Sequence, residues 1–368
     1  MTFNAIFRCD ASSKIGSGHV RRCLILAQHL KSNGIECFFI MRDAASNSLI
    51  EEVSQYFAVY TLPKENLTQS LSSDQQQLDS YLCADAIRDM PLSDVHLLVV
   101  DSYDIDILWE RSILQNLSQA QEFLPKLVVI DDLANRHHLC DLLVDQNYYG
   151  PSTNERYKGL IPYRSIKLLG SKYAMMHQDF AVNRSTIQPR LSLKNILIYF
   201  GGTDEGLFSL SALKGVIDSC LDQKDITIKI LLSPQSKAFS DVNEFCSQLP
   251  NVSILSSLPN LAQIISWADL CIGAGGSSTW ERACLGLPCI TFILADNQYP
   301  ISNQLSHELQ SKYFCRAFDD IYSTVVSDIY TIHNDLNAYS KVSSELMNYN
   351  HGLGATYVSR AIVNLLKA

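Results

Sequence analysis

The sequence predicts an α/β protein of two doubly wound domains, each a parallel sheet covered by helices on both faces. Three observations predict it. Short, continuously apolar runs alternate with helical patterns; that alternation loosens midway and then resumes; and glycine-rich turns stand where an apolar run gives way to a helix.

In the first third, residues 4–9, 35–41, 96–101 and 126–131 read as strands. Between the first two, residues 19–31 place Val20, Cys23, Leu24, Ala27 and Leu30 on one helical face. Residues 75–88 and 104–120 also read as helices. From 145 to 193 the chain carries Tyr-Tyr-Gly-Pro, isolated polar residues and Gln188-Pro189-Arg190, which reads as a linker plus the edge of a second domain. Alternation resumes with strands expected at 195–200, 227–232, 252–255, 270–273 and 289–294, and helices at 207–221, 236–249, 261–267 and 279–285. The expected domains are therefore 1–150 and 151–350, with a last amphipathic helix, at 355–366, free to pack on either. Ligands of such sheets bind beyond the carboxyl ends of the strands, so the loops there, facing the expected cleft between two domains, carry the chemistry.

Composition narrows the function classes. Of 368 residues, 47% are hydrophobic and 18% charged, and the net charge is −9 with Lys and Arg scattered. That excludes a disordered chain and disfavours a broad nucleic-acid surface. The N-terminus lacks the pattern of a secretory leader, and no apolar stretch approaches the roughly 20 residues that span a bilayer. The eleven cysteines form no Cys-x-x-Cys pair and mostly lie in apolar segments, as reduced buried thiols do. A cytoplasmic protein without membrane insertion is expected.

The first strand runs into Arg8-Cys9-Asp10 and then Gly16-Ser17-Gly18-His19 at a helix start. Gly16 and Gly18 let backbone approach a ligand, and a helix N-terminus favours the neutral imidazole of His19. A plain capping loop with an incidental histidine is the alternative. The second domain offers Gly273-Ala274-Gly275-Gly276-Ser277-Ser278-Thr279-Trp280-Glu281. Gly275, Gly276, Ser277 and Ser278 suit a diphosphate, and Glu281 suits a pair of ribose hydroxyls. The alternative is a cap: Ser278 at the N-cap with Glu281 completing a capping box. Gly201-Gly202-Thr203-Asp204 and Ala295-Asp296-Asn297-Gln298 also follow strands, as ligand loops or ordinary turns. The cluster of Asp131, Asp132, His137, His138 and Cys140 lacks zinc-site spacing, so no metal or other cofactor is expected.

These motifs together resemble the UDP-2,4-diacetamido-2,4,6-trideoxy-β-L-altropyranose hydrolases of pseudaminic acid biosynthesis. The resemblance rests on Phe7 through Ala11 and Ile15 through Leu24, on Ile130 through Arg136 and Cys140 through Asn147, and on Phe200 through Asp204, Gly273 through Gly286 and Asn297-Gln298. It implies two Rossmann-like domains in the glycosyltransferase-B arrangement. It implies further that His19 is the base that activates water, that Tyr103 lies near the sugar, and that Glu281 and Asn297 contact substrate. The partner is then a UDP-sugar and, by pathway, other enzymes of the same sugar route. Two departures stand: Glu205-Gly206-Leu207 replaces a Pro and Asn-Leu-Thr pattern, and His177 stands where the family has Arg. The rivals are an inverting glycosyltransferase of the same fold and a non-catalytic nucleotide-sugar sensor; a dehydrogenase is remote, because Arg21 fills the third glycine position of the dinucleotide fingerprint.

Overall fold

The computed structural model describes residues 3–10, 17–42, 47–63, 71–201, 204, 208–222 and 224–368. The chain divides into two compact units, residues 1–175 with 354–368, and residues 176–353.

The first unit contains β1 (Phe3–Cys9), α1 (Gly18–Ser32), β2 (Ile35–Arg42), α2 (Asn47–Ser54), β3 (Ala58–Leu62), α3 (Ser73–Arg88), β4 (Leu97–Asp101), α4 (Ile107–Leu117), β5 (Lys126–Ile130), β6 (Leu142–Asp145) and β7 (Ile166–Leu169). The strands form one parallel sheet in the order β3-β2-β1-β4-β5-β6-β7. Successive side chains of a strand point to opposite faces, so β1 divides its residues between two cores. Ala5, Phe7 and Cys9 join Val20, Cys23, Leu24, Ala27 and Leu30 of α1. Ile6 joins Cys83, Ala84 and Ile87 of α3 and Trp109, Ile113 and Leu117 of α4. Burial on both faces is why the central strands read as predominantly apolar runs. Helix α3 starts on a capping box, Ser72 with Gln75.

The second unit contains α5 (Gln178–Arg184), β8 (Asn195–Tyr199), α6 (Phe208–Ile217), β9 (Thr227–Leu231), α7 (Phe239–Cys246), β10 (Val252–Leu255), α8 (Ala262–Trp267), β11 (Leu270–Ala274), α9 (Ser278–Cys284), β12 (Cys289–Phe292), α10 (Tyr299–Glu308), α11 (Ile321–Asn334) and α12 (Leu336–Leu346). Its parallel sheet runs β10-β9-β8-β11-β12. The chain then ends in α13 (Gly354–Lys367), whose Ala355, Val358 and Ile362 enter the α1 side of the first unit's core.

The unit boundary differs from the expected one at residue 150. Residues 151–175 contribute β7, which pairs with β6 at the edge of the first sheet. As an edge strand with two exposed residues, β7 lacks the apolar run that marks a central strand. Residues 58–62, also at an edge and only partly buried, escaped the same pattern as β3.

Candidate functional site

In the first unit, β4 ends at Asp101 and α1 begins at Gly18, which brings His19 against Asp101. Both side chains are buried, and His19 Nδ1 lies 2.5 Å from Asp101 Oδ1. A carboxylate only accepts, so Nδ1 carries a hydrogen, and in the neutral ring Nε2 is the nitrogen whose lone pair can take a proton. One helical turn on, Arg22 presents the same face of α1. Its Nε and Nη2 donate to the two oxygens of Asp101, each at 2.6 Å, and its Nη1 reaches Asp132 Oδ2 at 3.3 Å. Arg22 Nη2 is also 3.1 Å from His19 Nδ1, where it is a charged neighbour and not a donor. Burial opposes ionisation of Asp101, but the charge and hydrogen bonds of Arg22, aided by His19, outweigh it and hold the carboxyl well below the usual range.

Tyr103 follows β4 and sets its ring perpendicular to that of His19, centroids 4.5 Å apart. Its phenol is bonded to Asp132, and burial together with that carboxylate pushes it up, away from ionisation. Asp132 is further fixed through its carbonyl, which accepts from Tyr149 Oη at 2.9 Å and from Arg156 Nη2 at 2.7 Å. Beneath lies Asp145, which accepts from the Asn147 N–H at 2.9 Å and faces Arg156 at 3.3 Å. Burial, reinforced by Asp132 and Asp131, nevertheless pushes its carboxyl up to about 7. His138 is paired with Glu110 at 2.6 Å, in a buried structural contact. Among the described residues, no group of three or more His, Cys, Asp or Glu is placed to hold a metal ion.

In the second unit, packing accounts for two of the glycines at the end of β11 and in the turn to α9. A Cβ on Gly273 would stand 1.9 Å from the Tyr199 carbonyl oxygen, and one on Gly275 would stand 2.6 Å from Ser302 Oγ. Gly276 has open space where a Cβ would go, so packing does not require it. The capping alternative is not what forms. Ser277, not Ser278, occupies the N-cap, and it makes no side-chain cap bond. Ser278 Oγ instead accepts from Arg282 Nη1 at 2.8 Å, which leaves its own hydrogen available to a ligand. Arg282 is buried and also holds the Ala274 carbonyl at 3.0 Å. Glu281 is half-buried on the first turn.

Past β12, Asn297 is exposed, whereas Gln298 turns its Oε1 back to accept the Leu294 N–H at 2.9 Å. The carbonyl end of Gln298 is thus committed to shaping the loop. Beside them lies a pocket of about 340 Å³ lined by Leu294, Ala295, Asp296, Tyr299, Arg316 and Phe318, among others. His177 caps α5, its Nδ1 accepting the Asp179 N–H at 3.3 Å. Gly16, Gly202 and Thr203 lie outside the described residues. Arg22 and Asp101 were missed from sequence, and Asp132 was read there only as part of a cluster without zinc-site spacing. The i, i+3 spacing of His19 and Arg22 and the acid ending an apolar strand were the available signals.

Comparisons with known proteins agree with this architecture. The model of the glycosyltransferase family 28 C-terminal domain matches residues 197–346. The UDP-2,4-diacetamido-2,4,6-trideoxy-β-L-altropyranose hydrolase of Campylobacter jejuni is 25% identical over 311 residues, 84% of this chain and 99% of its own. Among solved structures, MurG of Acinetobacter baumannii superposes with a TM-score of 0.62 at 14% identity, covering 98% of this chain and 99% of that one. A UDP-glucosyltransferase from Polygonum tinctorium gives 0.65 at 13% identity, covering 100% and 99%. No helix among the described residues is long and apolar enough to cross a membrane. The fold is that of two Rossmann-like α/β domains, as in proteins of the glycosyltransferase-B type.

Proposed function

We propose that the chain is an enzyme acting on a UDP-activated, N-acetylated amino sugar, in which His19 removes the proton from an oxygen nucleophile as UDP leaves the anomeric carbon. The observation that carries this is the buried His19–Asp101 pair, which fixes the tautomer with Nε2 as acceptor. General base catalysis of this kind contributes roughly 10²–10⁴-fold. In the second unit, Gly276, Ser277, Ser278 and the buried Arg282 are the groups for the diphosphate, and Glu281 is the group for the ribose. Stabilising the departing charge there does the rest of the work.

The nucleophile we propose is water, and the substrate UDP-2,4-diacetamido-2,4,6-trideoxy-β-L-altropyranose. Support comes from a hydrolase of that name aligning along nearly its whole length. A single displacement inverts the anomeric centre. The second reading, transfer of the sugar to another acceptor, is favoured by the family 28 match and by the glycosyltransferases of like fold. Turnover in ¹⁸O-water separates the two. Hydrolysis releases UDP without added acceptor and places the label on the sugar hydroxyl. UDP release only on adding a sugar or lipid acceptor would overturn water as nucleophile and leave transfer.

A further inference from the structure

We propose that Arg22 is the positioning residue that keeps His19 a proton acceptor; the inference rests on the reading of His19 as base. Three groups of the described structure meet the imidazole: Asp101 from β4, Tyr103 from the segment after β4, and Arg22 from α1 itself. Asp132, from the segment after β5, reaches it only through Arg22 and Tyr103. Cys23 Sγ stands 3.5 Å from Asp101 Oδ2. One carboxylate and one guanidinium therefore meet a ring that gains a charge each time it accepts a proton, with a second carboxylate behind the guanidinium.

Without Arg22, Asp101 would act on the ring unopposed and favour the imidazolium, which has no lone pair on Nε2. With Arg22 in place, its Nη2 stands 3.1 Å from Nδ1 and opposes that charge, while its fork occupies both oxygens of Asp101. Asp101 then orients the ring without trapping it as a cation. The planar fork also explains arginine in preference to lysine: Nε and Nη2 engage Asp101 while Nη1 reaches Asp132, which an ammonium cannot do at once.

The test is R22Q, read by NMR titration of the His19 imidazole and by the pH profile of kcat/KM. The imidazole of R22Q is expected to titrate at least about one pH unit above that of the wild type. The acidic limb of the profile moves with it, so the loss of activity is greatest on the acid side, approaching about tenfold for a shift of about one unit, and shrinks toward alkaline pH. R22K, which restores charge without the fork, recovers part of the neutral-pH activity. An unmoved titration with activity lost equally at every pH would make Arg22 a purely structural ion-pair partner and overturn the inference. If R22Q does not fold, R22M, which keeps most of the side-chain stem and removes the charge, is read in the same way: an upward move of the titration supports the inference and no movement overturns it. A titration that moves while the activity profile stays put supports the role of Arg22 and instead removes His19 as base.

Discussion

Asp101 is ionised because Arg22 and His19 outweigh the cost of burying it, and that fixed charge gives His19 one tautomer. On the proposed reading, His19→Asn lowers kcat at least about 100-fold, the lower range for loss of a general base. UDP affinity measured by calorimetry changes little, since the expected nucleotide groups are in the other unit. Near-wild-type kcat at saturating substrate would remove the mechanism. Tyr103 is the competing base from sequence, but it would have to ionise, and burial and Asp132 hold its phenol neutral. Tyr103→Phe is therefore expected to leave the shape of the pH profile unchanged, with a modest loss of kcat/KM from the vacated bond to Asp132. Loss of an alkaline rise in activity would show that the phenolate acts after all.

At the scale of elements, the turn between β11 and α9 separates packing from ligand binding. Gly273→Ala forces a methyl group into the Tyr199 carbonyl, a backbone atom, and is expected to abolish soluble protein. Gly276→Ala meets open space and is expected to keep the melting temperature while weakening UDP binding about tenfold, as a methyl group blocks close approach of an anion to the backbone. Unchanged UDP affinity in a folded Gly276→Ala protein would show that the loop is structural only. Glu281→Ala is informative alongside it. A capping role would cost about 1 kcal/mol of stability with affinity intact. The proposed ribose contact predicts the reverse: weaker UDP binding by calorimetry with little change in the melt.

For the whole molecule, Asp145 links stability to pH. Its carboxyl is pushed up to about 7 in the fold, whereas an exposed aspartate titrates near about 3.9. Between those values the folded state binds more protons than the unfolded one, so stability falls as pH rises from about 4 to about 7 and is then level. Burial dominates here over the neighbouring Arg156, which draws the carboxyl the other way. Asp145→Asn removes the titration. Its melting temperature should fall less than that of the wild type between pH 5 and pH 7.5. Parallel curves for the two proteins would mean that Asp145 is already ionised in the fold.

Local pattern settled what depends on local physics. Strands buried on both faces are mostly apolar, so β1, β2, β4, β5, β8, β11 and β12 were legible, and β9 and β10 were read from their Ile, Val and Leu content. So was α1, through the 3.6-residue spacing of Val20, Cys23, Leu24, Ala27 and Leu30, all of which are buried. The glycine turns, with His19 and Glu281 beside them, were legible as motifs. Edge strands β3 and β7 were not, because a half-exposed strand need not be apolar, and neither was β6, buried throughout but only four residues long. Tertiary structure alone decided the surroundings of His19. Arg22 reads in sequence as an ordinary helix charge, and its partners Asp101 and Asp132 lie 79 and 110 residues away. It decided as well that Gly273 and Gly275 serve packing while Gly276 does not, since a clash is set by atoms from other strands and helices. Hydrophobic periodicity is written along the chain, but the pairing of buried charges arises only where distant segments meet.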